Sequence, residues 1–310
     1  MVGFGDFKSL CEQTPSYPWC NLFYRQLENH SPSTLVNLSA IPATAPVGVN
    51  PECGIIRAGQ LGSLGNIANM IVCGVSMIVV FVLIVVTTRR RAAVGRSEFR
   101  IFLVMYFLSL PFQLITTGSV LEQGSTSLVA LTGIHAGIVA ALFWALLGNA
   151  IVSTQVVEDG TLSSLIPLCF FTLAFFGVTT YISLDVALSI TSTFGPSNPP
   201  SALHSTPLFV LTSIWPGAAA VLYLLIMTWI VLVVLREIRP MWFYILAATL
   251  FVLSQLDYFL LNKVICKGAN AKVDGSFIAT IFETAAVAVL YLAWRSITEE
   301  SWDDNVYFPN

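Results

Sequence analysis

Residues 71–86 read IVCGVSMIVVFVLIVV, an apolar run broken only by Gly74 and Ser76. The hydrocarbon core of a bilayer is about 30 Å thick, and a helix rising 1.5 Å per residue needs roughly 20 apolar residues to cross it. With its flanks this run fills 65–87 and reads as a membrane helix. Six further segments meet the same requirement: 100–120, 128–155, 162–184, 207–235, 241–262 and 276–294. Pro111, Pro167 and Pro216 fall inside them, where membrane helices tolerate kinks if neighbours satisfy the freed carbonyls. The third and fifth are long enough to tilt. The expected fold is an all-α membrane protein, a bundle of seven transmembrane helices.

Composition agrees. Charged residues make up 10% of the chain, against about a quarter in soluble domains. Hydrophobic residues reach 56% and the mean hydropathy is +0.80, more apolar surface than one water-soluble core could hide. The net charge of −3, without a basic stripe, suggests no nucleic-acid partner. The expected organisation is an N-terminal cysteine-containing region (1–64), a transmembrane domain (65–294) and an acidic tail (295–310). The opening, Met1 to Lys8, lacks the basic start and apolar run of a signal peptide, so the first helix is expected to act as its own insertion signal. Proline and polar residues crowd 31–50, which predicts a compact or irregular ectodomain rather than a helix bundle.

Basic residues set the orientation. Arg89, Arg90, Arg91, Arg96 and Arg100 lie between the first two helices, Arg236 and Arg239 between the fifth and sixth, and Arg295 after the seventh. The N-terminus is therefore expected in the lumen or outside, and the C-terminus in the cytosol. Asn29-His30-Ser31 and Asn37-Leu38-Ser39 make Asn29 and Asn37 glycosylation candidates on the same side, although such triplets also arise by chance. Cys11, Cys20, Cys53 and Cys266 all map there too, an even number in an oxidising compartment. Two disulfides are expected, with the pairing left open. A bond from Cys266 to the N-terminal region would tie that region over the loop between the last two helices. Cys73 and Cys169 fall inside helices, where a thiol behaves as a small apolar group.

Polar side chains inside membrane helices are costly and therefore informative. Gln113, His135, Asp257 and Glu283 are all expected roughly 8–11 Å below the lumenal surface, with Gln255 close to that level. One reading is structural: they hydrogen-bond between helices, at about 0.6–2 kcal/mol each. The other has them line a water-filled pocket open to the lumen that binds a ligand or ion. One histidine and two carboxylates on separate helices make a poor metal set, and no metal or cofactor is expected. Glu158-Asp159-Gly160-Thr161 reads as a turn in which glycine adopts the left-handed conformation and Thr161 caps the next helix. Its two acidic residues break the positive-inside trend, which makes the turn a candidate partner contact. The acidic tail with Trp302, Asp303 and Asp304 is another. The small-residue stretches 217–220 and 285–288 suit packing within the bundle or against a partner.

Several enzyme classes lack their residues. There is no lysine in the seventh helix for a Schiff base, no phosphate-binding glycine loop, no His-Glu-x-x-His and no Gly-x-Ser-x-Gly. The third helix ends in Ser153-Thr154-Gln155, not the acidic-arginine pair of many seven-helix receptors. No catalysis is expected.

Five stretches carry a resemblance. They are Gly5-Asp6-Phe7-Lys8-Ser9-Leu10-Cys11 with Thr14-Pro15 and Cys20; Gly95-Arg96-Ser97-Glu98; Phe143-Trp144-Ala145-Leu146-Leu147; Glu158-Asp159-Gly160-Thr161; and Trp302-Asp303-Asp304. In this order and position the chain resembles the fungal chitin synthase export chaperones over nearly its whole length. Val157 departs from the pattern, standing where many members carry tryptophan. The resemblance implies a non-catalytic membrane protein of the endoplasmic reticulum whose partner is a chitin synthase. The alternative is a seven-helix receptor or a transporter using a lumen-facing pocket; the lack of internal repeats counts against a transporter.

Overall fold

The computed structural model describes residues 4–14, 16–35, 49, 53, 57–58, 64–90, 95–118, 120–191 and 193–298. Asn37, Arg91 and the tail residues Trp302, Asp303 and Asp304 lie outside the described residues. Two short helices come first, α1 (Lys8–Gln13) and α2 (Cys20–His30). A two-residue antiparallel pairing of β1 (Arg57–Ala58) with β2 (Leu64–Gly65) follows. Seven helices long and apolar enough to cross a membrane complete the described chain: α3 (Ile67–Arg89), α4 (Arg96–Thr117), α5 (Thr126–Ser153), α6 (Leu162–Leu188), α7 (Thr206–Val234), α8 (Arg239–Gly268) and α9 (Gly275–Thr298). The hydropathy reading placed all seven, with the largest difference at the end of α8, which runs to Gly268 rather than 262.

Helix α3 shows which solvent the bundle is built for. Ile71, Val75, Ile78, Phe81 and Val82 point outward and are exposed, whereas Asn69, Cys73, Ser76 and Val80 are buried. A water-soluble helix has the opposite pattern. Here the more polar stripe faces inward, because lipid accepts apolar surface at no cost and cannot satisfy an amide or hydroxyl.

The most buried helix is α5, which packs against α4, α6 and α7. Its Gly133, Gly137 and Gly148 face α6, and a Cβ at Gly137 would run into the Phe176 carbonyl and the Thr180 hydroxyl. Small residues of this kind let two membrane helices approach to backbone contact. Trp144 Nε1 donates to the Leu168 carbonyl (3.2 Å) and Trp215 Nε1 to the Ala140 carbonyl (3.0 Å). The Phe175 ring stacks on Trp215 at 4.4 Å. These contacts join α5, α6 and α7. Helix α7 widens to π-type turns at Val210–Ile214, directly ahead of Pro216, whose ring would clash with a carbonyl in a regular α-turn.

Within the N-terminal region α1 and α2 are joined by the Cys11–Cys20 disulfide (Cα–Cα 5.6 Å). Phe7, Tyr17, Trp19 and Phe23 share one core with Val129, Ile182 and Leu208 of the bundle. Backbone bonds from Phe7 to the Leu203 carbonyl and from Ser205 to the Gly5 carbonyl, both 3.0 Å, hold the segment to the chain leading into α7. A second disulfide, Cys53–Cys266 (Cα–Cα 6.3 Å), ties it to the end of α8. The bundle therefore has a disulfide end and, opposite, an end carrying Arg89, Arg90, Arg96, Arg236 and Arg239.

The α5–α6 contact generates a prediction. Gly137→Leu should destabilise the detergent-solubilised protein by about 1–3 kcal/mol through overpacking, seen as a lowered thermal midpoint. Gly177→Leu should leave the midpoint unchanged, because a Cβ there meets nothing within 4 Å among the described residues.

Candidate functional site

Hydroxyls spaced four apart on α9, Ser276, Thr280 and Thr284, face amides and hydroxyls of α3 and α4. Thr280 Oγ1 donates to Asn69 Oδ1 (3.0 Å), and Asn69 Nδ2 donates to Thr117 Oγ1 (3.0 Å). Gln113 Nε2 donates to Thr280 Oγ1 at 2.8 Å. One turn further in, Thr284 Oγ1 donates to Ser76 Oγ (2.8 Å) and meets Tyr106 OH at 2.9 Å. This ladder fixes α3, α4 and α9 together, and sequence reading passed over it. The signal was there: Ser276, Thr280 and Thr284 share one face of a helix.

Beside the ladder, α4, α5, α7, α8 and α9 enclose a cavity of about 560 Å³. Gln113, His135 and Glu283 all line it, as does Gln255. Each has a partner: His135 Nδ1 lies 3.2 Å from Thr116 Oγ1, and Gln255 Nε2 donates to Glu283 Oε1 at 3.4 Å. Most of the remaining wall is apolar or aromatic. Gly217 and Ala220 of α7 and Ala286 and Val287 of α9 belong to this wall, so both small-residue stretches serve the bundle interior in part.

Two expectations about this layer change. Asp257 is buried but does not line the cavity. It opens a π-type turn, Asp257–Leu261, and its carbonyl abuts Gly275 at the start of α9. Glu283 lies eight residues further along α9, about 12 Å deeper. Gly275 is needed at that approach, since a Cβ would sit 2.9 Å from the Asn262 Cα. Nor is the cavity open at the disulfide end. Tyr17, Pro18 and Trp19 roof it, and the Trp19 ring lies 5.1 Å from that of His135.

The opening is lateral. Helices α7 and α8 touch each other little. Val221 of α7 and Val252 of α8 line the cavity while remaining 59% and 54% exposed. The cleft between them faces the side of the bundle, where lipid would lie.

A buried cluster seats the roof. Asn66 Nδ2 donates to Ser16 Oγ (3.1 Å), Asp274 Oδ1 (3.3 Å) and Ser276 Oγ (3.0 Å), and Ser16 Oγ donates to Asp274 Oδ2. Tyr258 OH donates to the Ser16 carbonyl at 2.9 Å. Burial pushes the Asp274 carboxyl above the usual carboxylate range, against the pull of hydrogen bonds from Ser16, Ser276, the Phe277 amide and Asn66.

At the arginine end two of the sequence stretches interlock. The Gly95 amide donates to Asp159 Oδ2 (2.8 Å), and the Gly160 amide donates to Glu98 Oε1 (2.8 Å). Ser164 Oγ donates to the same Glu98 oxygen at 2.6 Å. Gly95 and Gly160 have φ of +64° and +70°, a conformation glycine adopts without strain. Thr161 does not cap α6 as expected: its hydroxyl turns back to the Glu158 carbonyl (2.7 Å). Glu158 is exposed, as is the glycosylation candidate Asn29 near the end of α2.

A folded-state carboxyl raised above its unfolded value binds protons more tightly in the native state, so stability falls as pH rises from about the unfolded value of 3.8 through the folded one. Asp274→Asn should flatten this part of the profile. The check is the thermal midpoint of both proteins across pH 4 to 8; wild type should lose ground to the variant as pH increases.

The family model described as chitin synthase export chaperone matches residues 3–307. A chitin synthase export chaperone of Gibberella zeae is 28% identical over 309 residues, covering 99% of this chain and 85% of the relative. One of Fusarium oxysporum f. sp. lycopersici is also 28% identical with the same coverage, and one of Candida glabrata is 24% identical over 98% of this chain and 96% of its own length. No solved structure matches the chain.

Proposed function

The chain belongs to the chitin synthase export chaperone family, and from that premise we propose that it escorts a chitin synthase through folding and out of the endoplasmic reticulum. The observation that carries this is a match over nearly the entire chain, including the segments that build the roof and the arginine-end interlock. The role is one of binding rather than catalysis. A polytopic synthase exposes polar groups and small-residue faces that lipid cannot satisfy before its assembly is complete. A seven-helix partner can cover them until the client is ready for transport. The escort is proposed to reside in the endoplasmic-reticulum membrane and to remain with its client toward the cell surface.

We place the disulfide end in the lumen and the arginine end in the cytosol. Disulfides Cys11–Cys20 and Cys53–Cys266 at one end and the arginines at the other support this orientation. Asn29 and Asn37 are then available for glycosylation. The proposed division is a lumenal region (1–64), a transmembrane domain (65–294) and a cytosolic tail (295–310). On the cytosolic side, the Asp159–Gly95 and Gly160–Glu98 bonds pre-shape the turn that presents Glu158. We assign client contact to this turn, Glu158, Asp159, Gly160 and Thr161, together with Trp302, Asp303 and Asp304.

Cells lacking the protein should hold a chitin synthase internally and deposit less wall chitin, with both restored by re-expression. Normal surface delivery of every synthase contradicts the proposal. Glu158→Arg should reduce synthase co-purification in mild detergent several-fold while leaving the escort's thermal midpoint unchanged.

A further inference from the structure

We propose that the cavity between α7 and α8 is a binding site for a single membrane amphiphile, an apolar body with a hydroxyl or amine head, taken laterally from the bilayer. Four observations lead there. At roughly 30 Å³ per water-sized group, 560 Å³ holds on the order of twenty non-hydrogen atoms. That is the size of one acyl chain or one sterol, and it falls within the range of ordinary ligand pockets. A transmembrane helix at least 10 Å across and 30 Å long occupies roughly 2,400 Å³ or more, which excludes a client helix as the occupant.

Shape and polarity set the orientation of the ligand. The α9 wall runs from Ala279 to Leu290, eleven helical steps or about 16 Å. Gln113, His135, Gln255 and Glu283 gather toward the roofed end, while Phe102, Leu146 and Leu290 line the far end. The Gln255–Glu283 bond is long at 3.4 Å and leaves the carboxyl acceptor capacity for a donor on the ligand. The head therefore sits under Trp19 and the apolar body extends toward the arginine end.

The route of entry follows from the walls. The Tyr17-Pro18-Trp19 roof blocks access along the bundle axis, whereas the sparse contact between α7 and α8, flanked by exposed Val221 and Val252, opens sideways. A ligand entering there never leaves hydrocarbon, so an apolar body crosses no water. Ala220 lies on the α7 side of this passage, and a large side chain in its place would fill the space the ligand needs.

The test uses the full-length protein in phosphatidylcholine nanodiscs with two photoactivatable probes, a diazirine-bearing long-chain alcohol and a diazirine-bearing sterol. Adducts are mapped by mass spectrometry. At least one probe should label inward residues such as Leu142, Leu224 and Leu290, with label displaced by the unlabelled compound. Which probe does so identifies the source. Ala220→Trp should cut that label at least five-fold, with the thermal midpoint held or raised and label at lipid-facing Ile78 and Phe81 unchanged. Label confined to outward residues with either probe, or inward label indifferent to Ala220→Trp, overturns the proposal. So does an unlabelled cavity whose lining crosslinks to a co-expressed synthase.

Discussion

Hydrocarbon offers a buried amide or hydroxyl nothing to bond with, and most of this structure follows from that constraint. It explains why α3 turns Asn69 and Ser76 inward and Ile71, Ile78 and Phe81 outward. It also explains the ladder of Thr280 and Thr284 against α3 and α4, since polar partners must be found within the bundle. Apolar contact between helices gains little when lipid is equally apolar, so association relies on close backbone approach and hydrogen bonds. Gly133 and Gly137 supply the first between α5 and α6. The α9 hydroxyls supply the second between α3, α4 and α9.

Where the bundle meets water at the disulfide end, a different device takes over. The N-terminal segment carries a core of its own, Phe7, Tyr17, Trp19 and Phe23, but that core is completed only by residues of α5, α6 and α7. Cys53–Cys266 closes a separation of 213 residues and keeps the segment in place. The consequence is a cavity sealed at the end where a receptor would admit a soluble ligand, and accessible from the side instead.

Much of this architecture is legible in the amino-acid sequence. Seven apolar runs of bilayer length specify seven helices almost regardless of neighbours, and four cysteines outside those runs anticipate two disulfides. Counting residues from helix ends also brings Gln113, His135 and Glu283 to one cavity. Counting fails for Asp257 because α8 continues past 262 and changes pitch at the Asp257–Leu261 turn, which hydropathy does not register. The roof is hidden for another reason: Tyr17-Pro18-Trp19 is too short to show periodicity, and its position depends on contacts with residues near 203 and 274. The arginine-end interlock is divided between two stretches that read as separate loops. Thr161 fits a capping pattern, yet its hydroxyl bonds to the nearer Glu158 carbonyl.

In the proposed orientation this family member presents its roofed, disulfide-bonded end to the oxidising lumen and its interlocked arginine end to the cytosol. Protease protection in sealed endoplasmic-reticulum vesicles reports this orientation, with one epitope fused ahead of residue 1 and another after residue 310. The first epitope should survive until detergent opens the vesicles, while the second is lost at once. Digestion of the first in intact vesicles would contradict it.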